Sequence, residues 1–288
     1  MDGKVVVVTG SNSGIGRETA AAMATLGATT VMACRNRQKA EEAAAYVRAA
    51  SGSDDVHVVP LDLADLASVE TAAAELTSRW DRLDVLVNNA GGIWSGRQDT
   101  AQGLEFTFGV NHVGPFFLTA LLLERLKKAD SARIVNVSSF GHHLAFTGMN
   151  WNDLQGEKRY NGFGAYAQSK LANVLFTRGL AKRLADTRIT ANAVHPGPVS
   201  TGFGMDGDMT GIMDWGNRQL RRFEISAASG AATSIYLAAS PDVEGKTGGY
   251  YVRSKPGHLS VRARSDGDAD RLWGVTENLI TERGFALP

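Results

Sequence analysis

Apolar residues along the chain fall into two alternating patterns. Short continuous runs such as Val5-Val6-Val7-Val8 are bounded by turn residues, and between them lie longer stretches of helical period. Unbroken Val, Ile and Leu runs suit strands covered on both faces, and their alternation with helices marks a parallel sheet joined by crossovers. The pattern predicts strands over 4–9, 29–34, 56–61, 84–88, 133–138, 189–195 and 248–252. It predicts helices over 15–26, 37–50, 66–80, 104–127, 166–185 and 227–239. The expected fold is α/β and doubly wound, with a central parallel sheet of about seven strands and helices on both faces. A prior of roughly 150 residues per domain would allow two domains. No Pro/Ser linker breaks the pattern between 4 and 252, however, so all 288 residues read as one domain with a helical extension after 253.

Two stretches, 140–163 and 197–226, exceed the usual 2–6 residues between a strand and its helix. Both are rich in bulky apolar residues, including Phe146, Met149, Trp151, Phe203, Met205, Met209, Trp215 and Phe223. Disordered linkers are poor in such residues, so these segments read as functional loops.

Composition narrows the class. Hydrophobic residues at 43% and charged residues at 21% are ordinary globular usage, which excludes a mainly disordered chain. Thirty basic residues balance thirty acidic ones, so there is no electrostatic footprint for nucleic acid or an anionic membrane. A single cysteine, Cys34, excludes an internal disulfide and a four-cysteine metal site, and suits a reducing compartment. No apolar run nears the roughly 18 residues of a spanning helix; the longest lies around 115–123. The start, Met1-Asp2-Gly3-Lys4, lacks the basic-then-apolar pattern of a signal peptide. These features together predict a soluble cytoplasmic protein without a membrane anchor.

The first chemical signal is the turn Gly10-Ser11-Asn12-Ser13-Gly14-Ile15-Gly16 between the first strand and helix. Glycines there let backbone N–H groups approach a pyrophosphate, and the helix N-terminus favours its charge. The spacing is G-x-x-x-G-x-G rather than the general G-x-G-x-x-G of Rossmann-type domains. A ribose-reading carboxylate is expected about 20 residues later for NAD, yet no acid stands between Glu18 and Glu41. The second strand ends Ala33-Cys34-Arg35-Asn36-Arg37, with Lys39 behind. Arg35 is placed to stack on adenine and clamp a 2′-phosphate, which predicts NADP(H) in preference to NAD(H).

With these motifs the chain resembles the short-chain dehydrogenase/reductase family. Thr9-Gly10-x-x-x-Gly14-x-Gly16, Asp62-Leu63, Asn88-Asn89-Ala90-Gly91, Asn111, Ser138-Ser139, Tyr166-x-x-x-Lys170 and Pro196-Gly197 stand in that family's order. Within it the chain is most similar to the retinol-dehydrogenase-like subgroup, through Asn111-His112-Val113-Gly114, Val135-Asn136-Val137-Ser138-Ser139, Asp153-Leu154-Gln155-Gly156-Glu157-Lys158 and Tyr166-Ala167-Gln168-Ser169-Lys170-Leu171-Ala172-Asn173. The resemblance implies a single Rossmann-type domain and a catalytic tetrad of Asn111, Ser139, Tyr166 and Lys170, with Ser138 as the alternative serine. It implies cofactor contacts from Gly10, Ser11, Asn12, Ser13, Gly14, Ile15, Gly16, Arg35, Asn36, Asp62, Leu63, Asn89, Ala90, Gly91, Tyr166, Lys170, Pro196, Gly197, Val199 and Thr201. In that scheme Lys170 also reaches the nicotinamide ribose, Ser139 bonds the carbonyl oxygen and Asn111 holds a water behind Lys170.

Physical chemistry suits these roles. Tyr166 and Lys170 are four apart on a predicted helix and share a face. A phenol with pKa near 10 is a poor catalyst at neutrality, and an adjacent ammonium favours its ionised form. Lowering that pKa by about three units needs roughly 4 kcal/mol of differential stabilisation.

The expected activity is interconversion of a small apolar aldehyde or ketone with its alcohol, Tyr166 acting as general acid/base. A non-catalytic NADP(H) sensor on the same fold is an alternative, although a sensor has no need of Tyr166 with Lys170. A sugar-nucleotide epimerase or dehydratase also uses Tyr-x-x-x-Lys, but the glycine spacing speaks against it. Within 197–226, Phe203, Met205, Met209, Ile212, Met213 and Trp215 are expected to cover the substrate. Phe140, Phe146 and Trp151 would form a second wall; packing in a homo-oligomer interface is the alternative. His142-His143 lacks the further ligands of a metal site, so the pair reads as residues of the loop surface and no metal is expected. Cys34 reads as a packed core thiol, and His195 as a residue that closes its strand.

Overall fold

A computed structural model describes residues 1–197 and 226–288. Eight strands form one sheet in the order β3-β2-β1-β4-β5-β6-β7-β8. They are β1 (Val5–Thr9), β2 (Thr29–Cys34), β3 (Val56–Pro60), β4 (Val85–Asn88), β5 (Ala132–Val137), β6 (Ile189–His195), β7 (Tyr250–Val252) and β8 (Lys255–Pro256). Every pairing from β3 to β7 is parallel, and only β7–β8 is antiparallel. The order reverses between β1 and β4, and ligands of open α/β sheets bind beyond the strand carboxyl ends at that point.

The helices are α1 (Gly14–Thr25), α2 (Arg37–Ser51), α3 (Leu66–Arg79), a short α4 (Phe106–Phe108), α5 (Gly114–Lys127), α6 (Gly162–Arg183), α7 (Ala227–Ala239) and α8 (Asp266–Thr281). Two cores result. One face of the sheet packs against α3, α5, α6 and α8 through residues such as Phe116, Phe117, Leu118, Leu175 and Leu272. The other meets α1, α2 and α7 through Met23, Ala44, Val47 and Leu237. Alanines, among them Ala20, Ala24, Ala40 and Ala44, make up much of this second core.

The seven parallel strands are as expected, and a two-residue antiparallel β8 is added beyond β7, because Arg253 and Ser254 turn the chain back with φ of 50° and 59°. Hairpins of this kind are normally signalled by Asn-Gly or Asp-Gly, and that signal is missing here. The helix expected over 104–127 is broken by a π turn, Gly109–Val113. The helix expected from 166 begins at Gly162, because the Asn161 side chain caps it by accepting from the Gly164 N–H at 2.9 Å.

Phe106–Lys127 is, among the described residues, the one helical stretch long and apolar enough to cross a membrane. Most of it is buried, with Phe116, Phe117, Leu118 and Leu122 in the first core.

The stretch 140–163 opens with a 3-10 turn, Phe140–Leu144. Phe140 and Phe146 are 58% and 76% exposed. Trp151 is half-buried against the first core, with the Arg271 guanidinium 4.4 Å from its ring in a cation–π contact. The segment expected to act as a cover, 197–226, lies outside the described residues except for its ends.

Asp84 ties the edge of this arrangement together. Its carboxylate is buried and accepts from the Val5 N–H and from Lys4 Nζ, each at 2.9 Å, and from Arg82 Nε at 3.4 Å. Replacement by alanine leaves a buried N–H and a cation without partners, and is expected to cost about 2–4 kcal/mol. Denaturant midpoints of wild type and Asp84→Ala measure this, and a loss below about 0.5 kcal/mol would contradict it.

Candidate active site

The loops after β1 and β4 are locked to each other. The Thr9 hydroxyl accepts from the N–H groups of Asn89 and Ala90, both at 3.0 Å. Asn89 Nδ2 donates in return to Thr9 O at 2.8 Å and Gly10 O at 3.3 Å. This closeness requires the glycines. A Cβ on Gly10 would lie 2.8 Å from Ala90 Cα, and one on Gly16 would lie 2.5 Å from both Asn89 Nδ2 and Gly10 O. Gly10 and Gly14 also have left-handed φ of 64° and 54°.

Ser11 is buried, with its hydroxyl donating to Val8 O at 2.9 Å and 3.4 Å from Cys34 Sγ. Burial raises the Cys34 thiol's pKa, in keeping with a packed core cysteine. Ser13 stands at the N-cap of α1 without a side-chain cap bond, so first-turn N–H groups remain open to a ligand in the loop. Asn12 and Ile15 are half-buried in the same turn.

At the end of β2, Arg35 is exposed and makes no ion pair among the described residues. The Asn36 side chain is engaged within the fold, where its Oδ1 caps α2 by accepting from the Lys39 N–H at 2.9 Å. Asp62 Oδ1 accepts from the Ala64 N–H at 3.0 Å, and Leu63 is buried under Gly114, where a Cβ would sit 2.6 Å from Leu63 O. Pro196 leads into Gly197, whose φ is 92° and whose N–H donates to His195 Nδ1 at 3.3 Å. Val199 and Thr201 lie outside the described residues. A cradle of close glycines and open helix N–H groups fits the pyrophosphate of a dinucleotide.

Next to this cradle α6 presents Tyr166 and Lys170. The Tyr166 hydroxyl is hydrogen-bonded to the Ser139 side chain, which favours the ionised phenol, while burial pushes its pKa up more strongly. Its ring slides over Gly141, where a Cβ would lie 3.0 Å from Tyr166 Cε1. Lys170 is buried, which lowers its pKa to about 8. Its Nζ donates to Val137 O at 3.1 Å and lies 5.5 Å from the Tyr166 ring centroid. A Cβ on Gly91 would come within 3.4 Å of that Nζ.

The two serines have different surroundings. Ser138 is buried and donates to Lys170 O at 2.8 Å, which ties β5 to α6. Ser139, one residue on, faces the phenol, and its Oγ also accepts from the Gly141 N–H at 3.1 Å. Asn111 comes from the π turn. Its Nδ2 donates to Gly92 O and Ser169 Oγ, both at 2.9 Å, and its Oδ1 accepts from the Gly92 N–H at 2.9 Å. Its amide is thus a clamp on the loop after β4, with one oxygen lone pair left over.

Sequence reasoning missed the support behind Ser139. His142 is buried; its Nδ1 donates to Ser139 O at 2.7 Å and its Nε2 accepts from the Ser260 N–H at 3.3 Å. The ring is neutral, its pKa lowered to about 4 by burial first and by the neighbouring His143 and His195. His195 is lowered to about 4 by burial, and its Nδ1 accepts from the N–H groups of Phe140 and Gly197. The adjacent pair His142-His143 is the visible signal in the sequence, but two histidines side by side raise the question of a metal first. Among the described residues no cluster of three His, Cys, Asp or Glu could hold one. Tyr250 meets the His142 ring edge-on at 4.7 Å, and its buried hydroxyl has no hydrogen-bond partner among the described residues.

The neutral His142 makes a pH prediction. Its folded pKa lies below the unfolded value of about 6.5, so its contribution is complete above that value and is lost as pH falls toward 4. Melting temperatures across pH 7.5 to 4.5 are expected to fall for wild type and to fall less for His142→Gln. Equal slopes for the two proteins would contradict the assignment.

Known proteins share this arrangement of sheet and cradle. The family described as short chain dehydrogenase matches residues 4–209. Retinol dehydrogenase 12 of Mus musculus is 44% identical over 278 residues, covering 96% of this chain and 86% of the relative. Retinol dehydrogenase 14 of Homo sapiens is 41% identical over 300 residues, covering 97% and 87%. A crystal structure of an uncharacterised protein from Mycobacterium paratuberculosis superposes with a TM-score of 0.79 at 35% identity, covering 100% of this chain and 96% of the other.

Proposed function

The chain belongs to the short-chain dehydrogenase family, and from that premise we propose that it is an NADP(H)-dependent oxidoreductase interconverting an apolar aldehyde or ketone with its alcohol. One observation carries this reading: the Tyr166 phenol is hydrogen-bonded to Ser139 and backed by the buried Lys170 ammonium, beside the glycine cradle. The relatives named as retinol dehydrogenases support alcohol and carbonyl chemistry on an apolar substrate.

A nicotinamide cofactor, when held there, would supply or receive the hydride. Ser139 Oγ and Tyr166 Oη converge on the substrate oxygen, and the phenol gives its proton to that oxygen in reduction or takes it in oxidation. Lys170, its Nζ 5.5 Å from the Tyr166 ring centroid, would favour the phenolate through its charge, against the burial that raises the phenol's pKa. Its own lowered pKa, about 8, leaves it mostly protonated at neutrality, and the support fades at higher pH. Asn111 holds the Gly92 backbone so that the loop after β4 keeps its distance from Lys170. Ser138 fixes the helix that carries both Tyr166 and Lys170.

Gly10, Gly14 and Gly16, with Ser11, Asn12, Ser13 and Ile15, would hold the pyrophosphate, and Arg35 the 2′-phosphate. Asn36 contributes by its backbone, since its side chain caps α2. A charge-assisted contact to phosphate is worth about 1.5–3 kcal/mol, or roughly 10–100-fold in affinity. NADPH is accordingly expected to bind at least tenfold more tightly than NADH, and Arg35→Ala to erase most of that preference. Fluorescence titration of both cofactors decides the matter; equal affinities in the wild type would overturn the assignment.

For the chemical step, Tyr166→Phe is expected to lower turnover at least a hundredfold with NADPH affinity nearly unchanged. The assay follows NADPH oxidation with aldehydes and ketones of graded size. Retention of more than a few per cent of the rate would remove Tyr166 from its role.

A further inference from the structure

Lys170 shares its acceptor with a residue that plays no part in the mechanism above. Val137 O, at the end of β5, accepts from Lys170 Nζ at 3.1 Å and from Asn173 Nδ2 at 3.1 Å. Lys170 is 3% exposed and Asn173 6%, so water does not freely replace either donor. Two donors on one carbonyl are within its capacity, since the oxygen carries two lone pairs.

The second donor has a consequence for the first. An ammonium that extends toward a ribose hydroxyl lengthens or gives up its bond to Val137 O. A buried carbonyl left alone would penalise that movement by its desolvation. With Asn173 present, Val137 O stays partnered wherever the ammonium goes. The amide neighbours the buried ring of His112, whose Nε2 is 2.9 Å from Thr276 Oγ1 on α8. The Thr276 hydroxyl donates to Leu272 O at 2.8 Å, so it receives the His112 Nε2 proton. The backbone carbonyl of Asn173 is engaged as well, accepting from Thr177 Oγ1 at 2.8 Å.

We propose that Asn173 is a positioning residue for Lys170: by holding the Val137 carbonyl jointly with the ammonium, it frees Lys170 to engage the cofactor's ribose. Arg35 and the glycine cradle recognise the other end of the dinucleotide, so this device acts on the nicotinamide half. It rests on the reading that Lys170 touches the bound cofactor.

The test is a double-mutant cycle on NADPH affinity, read by fluorescence titration without any substrate. Asn173→Ala is expected to weaken binding about five- to tenfold, the worth of one buried hydrogen bond. In the Lys170→Ala background the same substitution is expected to change affinity less than twofold, because no ammonium remains to leave the carbonyl. Asn173→Leu, which keeps the branched shape without the donor, is carried through the same cycle, so that a folding defect in one variant does not decide the result. Wild-type affinity in both Asn173 variants would overturn the proposal. So would an equal loss with and without Lys170, which is what a merely structural asparagine gives. If Lys170→Ala itself binds NADPH like the wild type, the cofactor-contact reading fails instead, and the role of Asn173 falls with it.

Discussion

The constraint on which the site depends is the burial of an ammonium without a carboxylate. Among the described residues no acidic side chain pairs with Lys170. Burying a cation is costly, and the cost appears as a pKa lowered to about 8. What the protein offers in compensation is weaker than an ion pair: a backbone carbonyl and the ring of Tyr166. A carboxylate in that place would neutralise the field at close range. Without one, the positive charge stands unneutralised beside the phenol, 5.5 Å from its ring centroid.

Much of the surrounding structure follows from keeping that charge in place. Gly91 has no side chain because one would meet both Asn111 Oδ1 and Lys170 Nζ. Asn111 grips Gly92 from two sides, Ser138 secures the helix backbone at Lys170, and the Thr9–Asn89 bonds carry the arrangement across to the glycine cradle. Below the site a polar seam crosses the sheet. Asn88 Nδ2 donates to Asn136 Oδ1 at 2.8 Å, and Asn136 Nδ2 to Thr177 Oγ1 at 3.0 Å. Buried amides of this kind fix the register of neighbouring strands and helix more narrowly than apolar contacts do.

The sheet was legible from sequence because buried parallel strands are written as unbroken apolar runs, and Val5-Val6-Val7-Val8 could hardly be anything else. The glycine cradle and the spacing of Tyr166 and Lys170 were legible because each depends on local geometry. The hairpin at Arg253–Ser254 was not, since its left-handed turn uses residues that seldom adopt it. Nor was the division of labour between Ser138 and Ser139, which turns on which hydroxyl meets a carbonyl 32 positions away. His142 and Asn173 escaped for the same reason: their partners, Ser260 and Val137, are joined to them only in the folded chain. The direction of Trp151 was equally hidden, because bulk and hydrophobicity do not say which way a loop residue turns.

The π turn at Gly109–Val113 has a consequence for how this chain can vary. A π turn holds more residues than a regular α-helical turn, and so acts as a local phase shift in the helix. Asn111 faces the loop after β4 on one side of it, while His112 faces Thr276 on the other. Deleting a single residue there would give a more regular helix by every local measure. It would also rotate everything upstream by about 100° relative to everything downstream, as the α-helical repeat requires. The region is therefore one where residue count is fixed as tightly as residue identity: four of its five residues, Gly109, Asn111, His112 and Val113, are buried.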